Sequence, residues 1–344
     1  MKIKTVVLAM ACLMGSSWVQ AAEQPHVTIY ATGGTIAGAS KSNIDSTDYK
    51  AGSLGVDKLI QAVPEIKQFA DVSGVQIANV GSPDVNQKTL LSMTKAINKD
   101  LAKPSTHGVV VTHGTDTLEE TAFFLDMTVN SDKPVVIVGA MRPATAISAD
   151  GARNLYDAVK LASVDAAKGR GAMVAMNDRI SPAYYVTKTN THAVETFAAP
   201  EQGYIGGFIS GQPYFYYEDT KPINKPHFDI TNVATLPKVV ILYSYQDQSG
   251  ELLKDAIKDG AKGIVIAGTG DGSTPSWIQD TIKQAMKDGI PVVVASRVPT
   301  GYVSTHENAI GSGFYNPQKS KIILELALAK GEKIPQIRHY FAQL

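Results

Sequence analysis

Runs of consecutive Val, Ile and other apolar residues recur along the chain. VTIY (27–30), GVVVT (108–112), PVVIVGA (134–140) and GAMVAM (171–176) lie in the first part; KVVILYS (238–244), GIVIAG (263–268) and PVVVAS (291–296) lie in the second. They are nearly continuous rather than alternating, so each is expected to be a strand covered on both faces. Helical periodicity fills the intervals. Over 86–103, Leu90, Ile97 and Leu101 share one face, and 116–129, 150–167, 249–259, 275–288 and 317–330 also read as helices. Strand alternating with helix predicts an α/β protein with mainly parallel sheets. The stretch 213–237, PYFYYEDTKPINKPHFDITNVATLP, carries four prolines and no periodicity, and is expected to link two α/β domains, 23–212 and 238–344.

The first 22 residues follow a different pattern. MKIK is a basic start, TVVLAMACLMG an apolar core, and SSWVQAA ends in small residues, which is the layout of a secretory signal peptide rather than of a membrane span. Val19-Gln20-Ala21 fits the small-x-small rule, so cleavage is expected after Ala21 or Ala22 and the protein is expected in the periplasm. A lipoprotein cleavage at Cys12 is the weaker reading, because Ala9 stands where Leu is preferred. Cys12 is the sole cysteine, so the mature chain would lack any thiol nucleophile or thiolate metal ligand.

The 344 residues suffice for two separate cores. Lys+Arg and Asp+Glu both number 32, and neither sign forms a run, which leaves no basic field for nucleic acid. The 44% hydrophobic content is that of an ordinary globular chain.

In parallel sheets ligands collect beyond the carboxyl ends of strands. The segments there are ATGGT, HGTDT, AMRP, NDR, GTGDG and SRVPTG: small, hydroxylated or acidic, with no His, Cys and carboxylate cluster at metal spacing. ATGGTIAG (31–38) has neither the Lys of a P-loop nor the spacing of a dinucleotide turn. It is compatible with a plain tight turn whose threonine bonds backbone, or with a turn that presents Thr35 to a ligand. In THGTDTLEE (112–120), Asp116 either caps the following helix or faces the same cleft as Thr35, together with Thr115. A threonine hydroxyl is a poor nucleophile until a base takes its proton, and Lys188 in VTKTN is a candidate base, if it is not simply a surface lysine. His113, alone beside HGTDT, fits a structural role better than a catalytic one.

ATGGTIAG and THGTDTLEETAFFLD resemble the two signature segments of bacterial L-asparaginases, and VGAMRPATAISADGARNLYDAV, VTKTNT, SRVPTG and NPQK extend the resemblance almost end to end. With the leader, the chain is similar to the type II, periplasmic asparaginase and glutaminase-asparaginase group. The resemblance implies a larger flavodoxin-like N-terminal domain and a smaller Rossmann-like C-terminal one. It implies hydrolysis of L-asparagine to L-aspartate and ammonia, with L-glutamine as a lesser or equal substrate. No cofactor, metal, nucleic acid or membrane partner is implied, and the expected assembly is a homotetramer with sites at subunit interfaces.

By the same resemblance Thr35 is the attacking threonine, and Thr115, Lys188 and Asp116 form a second catalytic set. Asp116 also holds the substrate ammonium, Ser82 contacts its carboxylate, and Tyr49 is a lid residue beside the nucleophile. The Ala140 carbonyl accepts from the leaving amide nitrogen. Asp271 falls on a turn, and Glu307 matches a later acidic position, that a neighbouring subunit contributes. Two departures stand out: Pro83 where many relatives carry Gln or Glu, and Asp271 where many carry Asn. Asn and Gln differ by one methylene, which a pocket reads by only about 1–3 kcal/mol. Near-equal use of both amides is therefore the first alternative. A periplasmic amino-acid binding protein is the second, though it leaves the Thr35, Thr115 and Lys188 set idle.

Overall fold

A computed structural model describes residues 23–44, 49–218 and 221–342. The proposed leader, with Cys12 and the cleavage position, lies outside the described residues. The first part of the chain supplies β1 (His26–Gly33), α1 (Val56–Gln61), β2 (Asp71–Val80), α2 (Gln87–Leu101), β3 (Thr106–Thr112), α3 (Leu118–Thr128), β4 (Val135–Val138), α4 (Gly151–Ala162) and β5 (Ala172–Met176). Then come β6 (Arg179–Pro182), β7 (Thr187–Lys188), β8 (Phe197–Ala198), β9 (Gly206–Ile209) and β10 (Gln212–Phe215). The rest supplies β11 (Val239–Tyr243), α5 (Glu251–Lys258), β12 (Gly263–Gly268), α6 (Gln279–Lys287), β13 (Val292–Ser296), β14 (Ile310–Gly311), α7 (Pro317–Ala329) and α8 (Ile334–Phe341).

Eight strands form one sheet in the order β10-β9-β6-β5-β4-β3-β1-β2. The run from β5 to β2 is parallel throughout, and β6, β9 and β10 extend it antiparallel. The order 5-4-3-1-2 is that of the flavodoxin-like doubly wound sheet, whose switch point lies between β1 and β3. A second, four-stranded parallel sheet runs β11-β12-β13-β14.

The continuous Val and Ile runs do what burial on both faces requires. Val110, Val136 and Val138 point into one core cluster with α4, while Val109, Val111, Val135 and Ile137 point into the opposite one beneath α2 and α3. α3 is the exception to one-sided burial: all its residues but Glu120 are buried, because it packs on the large sheet with one side and on α7 with the other. Phe123, Phe124 and Met127 thereby join Ile322, Ile323 and Leu326 of α7 in one apolar cluster. Truncating a fully buried Phe such as Phe123 costs about 3–5 kcal/mol.

Each of the seven expected strands is present, but β11 is not covered on both faces: it is the edge of its sheet and leaves Ile241 and Tyr243 exposed. Several elements carried no such run. β2 is an edge strand with half of its side chains exposed. β9 and β10 form a hairpin across Ser210 (φ 51°) and Gly211 (φ 76°), the two left-handed residues of a type I′ turn. β10 takes residues 213–215, so the stretch 213–237 opens inside the sheet rather than as a free connection. Farther on that stretch is packed as well: Lys225 pairs with buried Asp126 at 2.6 Å, and Phe228 and Ile230 enter the cluster beside α7.

Candidate active site

Five of the residues singled out in the first part of the sequence sit on turns following four adjacent strands. Gly33 of β1 lies opposite Val80 of β2, Ala31 of β1 opposite Thr112 of β3, and Thr112 opposite Val138 of β4. Ser82, Thr35, Thr115 with Asp116, and Ala140 follow these partners within four residues. They therefore share one end of the sheet, at its switch point.

Thr35 opens a 3-10 turn (Thr35–Ala37) and is buried. The two glycines before it have φ of 106° and 80°. A Cβ on Gly34 would fall well inside contact distance of the Gly114 backbone, so the turns after β1 and β3 touch through two bare glycines. This close approach is the structural reason for GGT followed, on the next strand, by HGT.

The Tyr49 hydroxyl lies 2.6 Å from Thr35 Oγ. The segment carrying it closes back on the site. Ala39 and Lys50 exchange backbone hydrogen bonds, Gly52 N–H donates to Gly34 O, and Ser40 N–H donates to Thr145 Oγ. Residues 45–48, just before Tyr49, lie outside the described residues.

Lys188, on β7, is mostly buried, its side chain 16% exposed. Its Nζ donates to Thr115 Oγ at 3.0 Å and to Asp116 Oδ1 at 2.7 Å. Lys188 is thus joined to Thr115, whereas the hydroxyl partner of Thr35 is Tyr49. Asp116 does not cap α3. The N-cap, Thr117, makes no side-chain cap bond, and Ser82 Oγ accepts the N–H groups of Asp116 (3.2 Å) and Thr117 (3.4 Å) instead. Asp116 is left with its carboxylate 65% exposed toward an open cleft of about 350 Å³ that Lys188, Glu119 and Gln318 also line. Ser82 is itself buried, and its hydroxyl proton remains free to donate.

Ala140 is fully buried. Asp150 accepts the N–H groups of Met141 and Arg142 at 2.9 and 3.0 Å, and Asn154 donates to Gly139 O at 3.1 Å. Asp150, the residue before α4, and Asn154 on α4 together fix the turn after β4.

His113 is fully buried, and burial pushes its imidazole down to about 4. Nδ1 lies 2.7 Å from Gly114 O and Nε2 2.9 Å from Thr121 Oγ. The neutral ring thus donates from Nδ1 and accepts at Nε2, which ties the HGT turn to α3 and leaves no nitrogen for the reaction. Burial also raises Glu120 to about 7, with the Glu119 charge second.

Asp271 and Glu307 are placed elsewhere. Both are exposed on turns of the four-stranded unit. Asp271 Oδ1 accepts Ser304 N–H at 2.7 Å and its carbonyl lies 2.9 Å from His306 Nε2. Among the described residues no hydrogen bond or ion pair joins either acid to Thr35, Thr115 or Lys188 within one chain. Among the described residues no three His, Asp or Glu side chains converge as a metal site, and no helix is long and apolar enough to cross a membrane.

Glu119 was missed by the sequence reading. It is buried; Oε2 accepts the Lys188 N–H at 2.6 Å, and Oε1 accepts Asn316 Nδ2 at 3.2 Å and Gln318 Nε2. In the sequence its one signal was a capping-box spacing, which pointed to a local role.

Residues 26–221 match the family model "Asparaginase, N-terminal", and 238–341 match "Glutaminase/Asparaginase C-terminal domain". The chain is 50% identical over 323 residues to "L-asparaginase 2" of Bacillus subtilis, covering 92% of this chain and 86% of that one. It is 45% identical over 351 residues to "Probable L-asparaginase periplasmic" of Haemophilus influenzae, covering 99% of both. Among solved structures, a probable cytoplasmic L-asparaginase from Campylobacter jejuni superposes with a TM-score of 0.89 at 45% identity, over 93% of this chain and all of that one.

Proposed function

The chain belongs to the asparaginase family, and from that premise we infer that it is an L-asparaginase, hydrolysing L-asparagine to L-aspartate and ammonia, with Thr35 as nucleophile. The observation that carries the role of Thr35 is its placement. A buried hydroxyl stands at the sheet's switch point, 2.6 Å from a second hydroxyl and on the turn that touches the Thr115 turn.

Thr35 Oγ attacks the side-chain amide carbon. Its proton passes through the Tyr49 hydroxyl to the amide nitrogen, the C–N bond breaks, and ammonia leaves an aspartyl ester on Thr35. Water then cleaves the ester and returns a proton to Thr35 Oγ. Thr115, Lys188 and Asp116 handle the proton of that water. Lys188 donates to Thr115 Oγ, so the threonine's oxygen is set to exchange protons through the lysine. The outward oxygen of Asp116 holds the substrate ammonium, and the Ser82 hydroxyl proton serves the carboxylate. The Ala140 carbonyl accepts from the amide nitrogen.

Use of L-glutamine as a second substrate follows from the one-methylene difference, and the second family model bears the glutaminase name as well. The ratio of kcat/KM for the two amides measures it. The exposed Asp271 and Glu307, unconnected to the site of their own chain, are read as completing the site of a neighbouring copy in a homotetramer. The basic, apolar and small-residue pattern of residues 1–22 supports export to the periplasm, and N-terminal sequencing of the secreted protein tests it.

Ammonia release from asparagine by the wild type, and its loss in Thr35→Ala with aspartate binding retained, is the expected result. A Thr35→Ala variant keeping about a tenth of wild-type kcat moves the nucleophile elsewhere. Aspartate binding without ammonia release by the wild type favours the binding-protein reading.

A further inference from the structure

The NPQK turn (316–319) opens α7, in the C-terminal unit, and its polar side chains reach back to the supports of Lys188. Asn316 caps α7 by accepting Lys319 N–H at 2.9 Å. Its Nδ2, with Gln318 Nε2, donates to Glu119 Oε1, whose other oxygen accepts the Lys188 N–H. Lys319 Nζ donates to the carbonyls of Tyr184 at 2.8 Å and Val186 at 2.7 Å, on the segment leading into Lys188.

Lys188 needs such support. It lies on a two-residue strand whose sheet partner is β8, outside both large sheets. A two-stranded ribbon of this length has little stability of its own. The lysine must nevertheless hold Thr115 and Asp116 at hydrogen-bond distance. Glu119 is also an expensive way to satisfy three neutral N–H donors, since a buried carboxylate is costly unless fully bonded. Where a carboxylate stands on α3, only acceptor oxygens face these donors; an isosteric amide would turn an N–H toward one of them.

We propose that Glu119, Asn316, Gln318 and Lys319 are positioning residues for Lys188, so that the C-terminal unit sets the placement of a catalytic side chain in the N-terminal unit. The proposal rests on the role given to Lys188 above. It gives α7 a task in the reaction in addition to covering α3.

The test compares Gln318→Ala and Glu119→Gln in the wild-type and Lys188→Met backgrounds. Gln318 is half-buried at a helix start, so Gln318→Ala is expected to fold. KM and kcat for asparagine, the pH–rate profile and thermal unfolding are measured for each. The expected result is a KM within about twofold of wild type, with kcat lowered about tenfold in Gln318→Ala and about 100-fold in Glu119→Gln. One limb of the pH–rate profile shifts, because the geometry around Lys188 and Thr115 has changed. In the Lys188→Met background neither substitution lowers the residual turnover further. A lower unfolding temperature with unchanged kcat and pH profile overturns the proposal, as does an equal proportional loss in both backgrounds. If Lys188→Met itself keeps wild-type turnover, the fault lies in the role of Lys188, and the proposal falls with it.

Discussion

Replacing Gly34 by Ala tests whether the contact between the two signature turns places the nucleophile. Two costs arise at this position. At φ 80° and ψ −168° the backbone lies in a region essentially reserved for glycine, which strains an L-residue by about 1–3 kcal/mol. The added Cβ also falls about 1 Å inside the 3.4 Å limit of ordinary contact with Gly114, and the atoms it meets are backbone, which no side-chain rotation can move. The β3 side is held in place, since His113 N–H donates to Val138 O at 2.9 Å and its ring is bonded at both nitrogens. The Thr35 turn must therefore yield, by about 1 Å, and a misplacement of that size costs about 100-fold in rate. The expected outcome for Gly34→Ala is a folded protein with kcat down by about two orders of magnitude and an unfolding temperature a few degrees lower. Gly260→Ala is the control: its φ is 81° but nothing lies within 4 Å of its Cβ, so it carries a positive-φ strain without the collision and should keep wild-type kcat. Steady-state ammonia release and thermal unfolding are measured on both. Wild-type kcat in Gly34→Ala, or an equal loss in Gly260→Ala, refutes the reasoning.

Tyr49→Phe should lower kcat through loss of the 2.6 Å bond to Thr35 with little change in KM, and Tyr49→Ala should lower it further by opening the site; equal activity of Tyr49→Phe and wild type would limit the ring to shielding. His113, held down to about 4 by burial, binds a proton in the unfolded chain near pH 6.5 but not in the folded one. Its contribution to stability is therefore lost as pH falls from about 6.5 to 4, by about 3 kcal/mol in all. Raised Glu120 (about 7) and Asp157 (about 6) act in the opposite sense over the same range, so the measurement is the difference in unfolding free energy between wild type and His113→Asn as a function of pH; a constant difference would contradict the burial argument. Inactive Thr35→Ala and Glu307→Ala chains, refolded together, should recover part of the activity if Glu307 serves a neighbour's site, and no recovery in proven mixed oligomers would place each site within one chain.

Much of this protein is written locally. Strands buried on both faces must be apolar at every position, so β1, β3, β4, β5, β12 and β13 announce themselves as apolar runs; β11 carries the same kind of run although it lies at a sheet edge. The turns at their carboxyl ends then point to one edge of the sheet, and Thr35, Thr115 and Asp116 are legible there because small and hydroxylated residues interrupt apolar runs. The half-exposed strand β2 and the short antiparallel strands β6 to β10 carry no such pattern, since their burial depends on neighbours distant in the chain.

Tertiary structure alone decided which groups pair. A lysine on a two-residue strand reads as a surface residue until Thr115 and Asp116, more than seventy positions earlier, are seen to meet it. Asp116 reads as a helix cap until its carboxylate is seen to pair with Lys188 while Ser82, from the turn after β2, holds its backbone N–H. Glu119 looks like a second capping acid, yet it joins Lys188 to a turn about two hundred residues later. Periodicity reports how a segment meets water and core within one or two turns. A buried carboxylate or ammonium is settled by whichever donors and acceptors the fold brings to it, and those come from anywhere in the chain.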